Sequence, residues 1–186
     1  MSVFGIVVEG PYDSAVYSIL IPRIRHDVEL VVKRPCGGVA ALRRKFVGFL
    51  KEFQYPIVKA LVIRDSDRRD PLEAEDELSR ILKDSGFRSI PVHVYATMRA
   101  LETWLMADEE AVMKVARNRG TSIKVKPIEA LEQLPEPKSE FYRMLSQAGL
   151  PATEQVYKEI ASAVDLARIE QRCPRFEQFC KGVHAC

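Results

Sequence analysis

Long hydrophobic runs are missing from this chain. Every apolar stretch is strand-sized and interrupted by charge, so nothing reads as a membrane span, and Ser2 to Val8 lacks the basic start and long apolar core of a signal peptide. The expectation is a soluble, cytoplasmic protein. Cysteine is scarce: Cys36, Cys173, Cys180 and Cys186 are too few and too scattered for a disulfide scaffold, and no C-x-x-C pair suggests structural zinc. The last three lie near His184, a loose set that reads as a helix tail with incidental thiols or as an adventitious metal site. Aromatic residues make up 8% of the chain and fall mostly in amphipathic stripes, so no base-stacking platform is evident. There is no G-x-x-x-x-G-K-[ST] loop, no G-x-G-x-x-G, no helix-turn-helix and no zinc finger. Neither charge sign dominates, the net being +2.

What is present suits a globular chain. It has 186 residues, 47% hydrophobic and 29% charged, enough for a substantial core. The charge is unevenly spread: residues 1–64 carry ten Lys/Arg against five Asp/Glu, residues 65–110 six against twelve, and the rest twelve against nine. An acidic centre with basic flanks suits a polyanion held beside a cation, although a mixed surface has the same arithmetic.

Val3 to Val8, Leu30 to Lys33, Val58 to Ile63 and Ile90 to Tyr95 are β-branched, strand-length segments, and the stretches between them read as helices. Such alternation predicts parallel βαβ units. Asp13 to Ile24 places Val16, Ile19 and Leu20 on one face, with Pro22 helping to end the helix. Leu42, Phe46, Phe49 and Phe53 make the stripe of a second helix, started by Gly37-Gly38, which reads as a tight turn or as amides facing a phosphate. Asp70-Pro71-Leu72-Glu73 has the cap, proline and glutamate of a helix start, so Asp70 is a cap first and a metal ligand second. Beyond Ala100 only helical patterns and proline joints at Lys126-Pro127 and Pro135-Glu136-Pro137 are visible. The expected organisation is a three-layer α/β/α core over residues 1–99 with a parallel four-stranded sheet, and an α-helical extension over 100–186 packed on it.

Two acidic signatures stand where strands end: Glu9-Gly10 with Asp13 after the first, and Asp65-Ser66-Asp67 after the third. In open parallel sheets ligands bind beyond the carboxyl ends of the strands. Residues i and i+2 share a strand face, so Asp65 and Asp67 can point into one space with Glu9 beside them, a donor set suited to Mg2+ or Mn2+. Other D-x-D readings fail on residues: an EF-hand loop from Asp65 needs Gly where Asp70 stands and Glu where Asp76 stands, and a haloacid-dehalogenase motif needs Thr or Val where Arg69 stands. Arg64, Arg68 and Arg69 flank the pair and either contact substrate phosphate or pair with the acidic helix that follows. Glu102 is either a further ligand or a helix-start residue ahead of Trp104 and Leu105. His26, His93 and His184 lack ligand spacing to one another and read as structural.

The strand ending in Glu-Gly, the later strand ending in D-x-D and the alternating βα units resemble the Toprim domain of topoisomerases, primases and overcoming-lysogenization-defect nucleases. The Glu9 to Asp13 spacing is most similar to the nuclease branch. Glu102-Thr103-Trp104-Leu105 with Ala107-Asp108 resembles the E-x-W-L-x-A-D stretch of small stand-alone prokaryotic Toprim-like proteins. The resemblance implies that the first and third strands are neighbours, that Glu9, Asp65 and Asp67 bind metal, with Asp13 or Glu102 holding a second ion, and that the chemistry is phosphodiester hydrolysis on DNA or RNA beside an ATPase partner. A catalytically silent regulator and a phosphotransfer enzyme on small nucleotides are the other expectations the same acids allow.

Overall fold

Strands and helices alternate through the first half of the chain, and the computed structural model, which describes residues 2–121 and 124–185, runs β1 Ser2–Val8, α1 Pro11–Ile24, β2 Val28–Pro35, α2 Val39–Glu52, β3 Ile57–Asp65, α3 Pro71–Asp84 and β4 Val92–Thr97. The four strands form one all-parallel sheet in the order β2-β1-β3-β4. The fold is α/β, with helices on both faces and further helices at the C-terminal end. Val7 of β1 pairs with Val62 of β3, and Asp65 pairs with Thr97 of β4, so the carboxyl ends of the two central strands lie side by side.

β4 begins two residues later than the apolar pattern suggests, because Pro91 has no N–H for the ladder and contributes only its carbonyl, to Ala60 N at 3.0 Å. Pro22 lies inside the last turn of α1, which ends at Ile24 with the Arg25 N–H on the Ile21 carbonyl. On α2 the fully buried stripe is Leu42, Phe46 and Leu50, continued by Phe53, while Phe49 is only partly buried.

The second half consists of α4 Glu102–Leu105, α5 Glu109–Asn118, a 3-10 turn at Leu131–Gln133, α6 Pro137–Gln147, α7 Glu154–Ala163, α8 Leu166–Arg172 and α9 Arg175–His184. These helices share one core with α1 and one sheet face: Phe4, Ile6, Val8, Leu61, Ile63 and Tyr95 pack with Trp104, Phe141, Tyr157, Phe176 and Phe179. The opposite face is covered by α2 and α3 through Val7, Val62, Phe46, Leu50 and Leu78. The helical half therefore has no core of its own.

Its last helix sits very close to the sheet. A Cβ at Gly182 of α9 would collide with the imidazole of His93 on β4, and Lys59 of β3 donates to the carbonyls of Gly182 and Ala185. Gly182→Ala is thus expected to destabilise the protein by about 1–3 kcal/mol, the usual cost of overpacking. Thermal melts of G182A, H93A and the double variant check this: the double should lose less than the sum. No helix among the described residues is long and apolar enough to cross a membrane.

Candidate functional site

Glu9 follows β1 directly. Its carbonyl accepts from the amides of Gly37 and Gly38, both at 2.8 Å, and both glycines have positive φ (89° and 101°). The glycine pair is therefore a turn that holds the end of β1, and its amides are not free for a phosphate. The Glu9 side chain crosses to β3, with Oε1 accepting from Asp65 N at 3.0 Å.

Asp65 closes β3 and is buried. Its Oδ1 accepts from Leu101 N at 3.1 Å, and its Oδ2 lies 2.8 Å from Nζ of Lys138. Ser66 continues the ladder, its N–H on Thr97 O at 3.0 Å and its hydroxyl accepting from Arg99 N at 2.9 Å. At Asp67 the chain leaves the strand with φ 53°, and Arg99 opposite has φ 61°. Strand alternation stops there, so Asp65 and Asp67 do not share a strand face: one carboxylate is buried against Leu101 and Lys138, while the other is exposed in a cleft of about 190 Å³ lined by Arg68, Arg99, Glu136 and Lys138. Two left-handed non-glycine residues facing each other form a strained turn of the kind found at functional sites.

Two more acids complete the group. Asp13 lies in the first turn of α1 and accepts from Gly10 N at 2.8 Å through Oδ2. Glu102 opens α4, buried, with Oε1 accepting from the Tyr157 hydroxyl at 3.0 Å and Oε2 buried without a hydrogen-bond partner. The same stretch explains the E-x-W-L-x-A-D pattern physically. Glu102 faces the acids, Trp104 and Leu105 fill the core, and Asp108 accepts from Asp165 N at 2.9 Å and Arg168 Nη1 at 3.0 Å.

The electrostatics follow from burial and crowding. Desolvation, then the charge of Asp65, pushes Glu9 up to about 7 and Glu102 up to about 7. The same two causes, with Glu102 as a third, push Asp13 up to about 8. Burial raises Asp65 as well, against the pull of Lys138. Burial alone would lower Lys138, but Asp65, Glu102 and Asp13 outweigh it and raise it. Tyr17, whose hydroxyl is 2.7 Å from that of Thr97, is raised by burial and by Asp65 and Asp13; Tyr157 is raised by burial and by Glu102. Both phenols stay protonated, and that of Tyr157 donates to Glu102.

Because the folded values of Glu9, Asp13 and Glu102 lie above those of an unfolded chain, their contribution to stability is complete below about pH 4 and is lost as pH rises through 7 to 8. The metal-free protein is therefore expected to lose on the order of a few kcal/mol between pH 4.5 and 8, discounted for partial exposure. Melts in EDTA across that range test it. A flat profile, or one unchanged in Glu102→Gln, overturns it.

Of the three arginines flanking the D-x-D, two take the alternative course of pairing with the following helix. Arg64 is buried, with Nη1 3.3 Å from Glu77 and Nε 3.9 Å from Glu9, and Arg69 lies 2.7 Å from the same Glu77, which Arg43 also meets at 2.8 Å. Arg68 is exposed at the cleft and pairs with Glu136. Arg99 lines the cleft too and was not singled out by sequence. Asp70 caps α3, accepting from Leu72 N at 2.7 Å. In the tail, burial pushes the Cys173 and Cys180 thiols up to about 12, and Cys186 lies outside the described residues.

Lys138 is the functional candidate that sequence reasoning missed. The one signal was its place in the first turn of α6, where the helix dipole disfavours a cation unless acids face it. Hard carboxylate oxygens, an unpartnered buried Glu102 oxygen and an ammonium already drawn into their midst fit a cation site. As the side chains stand, no group of three or more His, Cys, Asp and Glu among the described residues is closed into a metal-binding set. No curated protein and no solved structure matches the chain. A family model covers residues 8–184, and the chain belongs to that family, described as a domain of unknown function, DUF4276.

Proposed function

We propose that this protein is a divalent-metal-dependent phosphodiester hydrolase acting on DNA or RNA. One observation carries the reading: acids from four separate segments, Glu9, Asp13, Asp65 and Glu102, gather beyond the carboxyl ends of the central strands around a cation, with Asp67 at the mouth. The Toprim resemblance supports the same assignment. Glu9, Asp65 and Asp67 would hold Mg2+ or Mn2+, with Asp13 and Glu102 available to a second ion. Such an ion supplies charge neutralisation and a water of lowered pKa when bound.

The chain's own groups then have distinct tasks. Glu9, raised by burial and by Asp65 while no ion is bound, would be held as the carboxylate by a divalent ion and so serves as a ligand. Arg68 and Arg99 at the cleft would meet the phosphates flanking the reacting one. Tyr17 and Tyr157, kept neutral, are poor nucleophiles, which favours hydrolysis over a covalent tyrosyl intermediate. An ATPase partner belongs to this proposal through the resemblance alone.

A second reading is a catalytically silent regulator, favoured by the Lys138–Asp65 contact, which gives the acids a cation of their own. Incubation with supercoiled DNA, single-stranded DNA, RNA and mononucleotides, in Mg2+, Mn2+ or EDTA, separates the readings. Polynucleotide cleavage that EDTA abolishes supports the hydrolase. Metal binding without turnover supports the regulator, and turnover of mononucleotides alone supports a small-nucleotide phosphotransfer enzyme.

A further inference from the structure

We propose that Lys138 is a tethered counter-cation which a divalent ion must displace, so that metal occupancy of the acids and the inward position of the α6 ammonium exclude each other. The inference rests on the metal-binding reading above.

The geometry is asymmetric in a telling way. Nζ of Lys138 lies 2.8 Å from Oδ2 of Asp65, yet the Asp65 side chain is 3% exposed and the Lys138 side chain 49%. Asp65 is fixed by its strand and by the Leu101 amide, whereas the lysine reaches in on a flexible four-carbon stem from the surface. Only one partner of this ion pair can leave.

What holds the lysine is the acids and nothing else on its own helix. Lys138 is the second residue of α6, directly after Pro137, where unpaired amides give the helix end partial positive charge. A cation there is repelled by its own backbone. It is attracted by Asp65, Glu102 and Asp13, and Glu102 Oε2 still has no partner after Lys138 is seated. One charge of +1 leaves that group of acids under-compensated. An ion of +2 offers more charge at the same place and would repel the ammonium from it.

The displaced ammonium has somewhere to go. Lys138 also lines the cleft that contains Asp67, Arg99 and Glu136, so rotation about its own side-chain bonds moves the charge from the buried acids to a wet surface. Metal affinity of the wild type is then reduced by the fraction of molecules with Lys138 out of the site.

The test is calorimetric titration of Mg2+ and Mn2+ into the full-length protein and into Lys138→Met, with Lys138→Gln as a second variant and the surface Lys126→Met as control. Both Lys138 variants are expected to bind metal at least about tenfold more tightly, with the control unchanged. In parallel, acylation of wild-type lysines read by mass spectrometry should show Lys138 protected in EDTA and reactive with Mg2+. Wild type and both variants binding with equal affinity, or Lys138 reactivity that metal does not change, overturns the exchange while leaving the metal site intact. No metal binding by any of the proteins overturns the metal reading and the exchange together. Binding by the Lys138 variants alone supports both.

Discussion

Asp65→Asn is expected to lower metal-dependent phosphodiester cleavage at least about a thousandfold while leaving the fold as stable as before or more so. The loss follows from removing a buried carboxylate at the centre of the proposed ion site: a bound metal contributes several kcal/mol of charge stabilisation, and each 1.36 kcal/mol is tenfold in rate. The stability sign is the sharper part. In the native protein burial and then the charge of Asp65 push Glu9, Asp13 and Glu102 upward, so its removal relieves part of the shift at all three. An asparagine can still accept from Leu101 N with its amide oxygen, and Lys138, half exposed, can turn to water. A site kept for chemistry at the expense of stability responds this way, whereas a structural ion pair responds with a fall in melting temperature. Cleavage assays in Mn2+ and melts at pH 8 give both numbers. Retained activity, or a melt lowered by several degrees, would remove Asp65 from the proposed role.

Trp104→Ala is expected to cost about 3–5 kcal/mol, the largest single effect on stability that the packing suggests. Trp104 is fully buried at the meeting point of the sheet, α1 and α9, with ring centroids 4.8 Å from Phe176, 5.1 Å from Phe179, 5.8 Å from Tyr17 and 6.1 Å from Tyr95. Truncation removes these pairings and leaves a cavity that several surrounding elements cannot close together. At about 2–4 °C per kcal/mol for a chain of this size, the melt should fall by on the order of 10 °C. Trp104→Phe should cost far less, because the indole N–H is buried without a partner and nothing is lost with it. A W104A melt within 2 °C of wild type would mean that this cluster does not hold the helical half to the sheet.

The alternation of β-branched and amphipathic segments was enough to locate four strands and the helices between them, since burial on both faces of a parallel sheet demands near-continuous apolar runs and burial of one helix face demands a 3.6-residue stripe. The ends of β1 and β3 were legible for the same reason, and with them Glu9 and Asp65. The local signals at Asp70-Pro71 and Gly37-Gly38 also read correctly as a cap and a turn, because both depend only on neighbouring backbone. Between Ile90 and Pro91 the pattern misplaced a boundary by two residues, hydrophobicity being blind to the missing proline N–H.

What the tertiary structure decided was which distant groups meet. Asp67 was expected to share a face with Asp65, but the paired left-handed residues Asp67 and Arg99 turn it outward, a conformation that only the juxtaposition of the β3 and β4 ends imposes. Arg64 and Arg69 had two courses open, and the packing of α3 beside β3 brought Glu77 within reach of both. Glu102 was balanced between ligand and helix start; its burial against Tyr157 and its nearness to Asp65 come from α4 and α7 packing over the sheet end. Lys138 lies 73 positions beyond Asp65 on a helix whose sequence has no pattern tying it to an acidic centre. Periodicity reports which face of an element is buried, but it has no reference to a partner on another element. The chain's sequence therefore determined the sheet and the acids at its edge, and only the folding of the helical half onto that sheet determined the cation they surround.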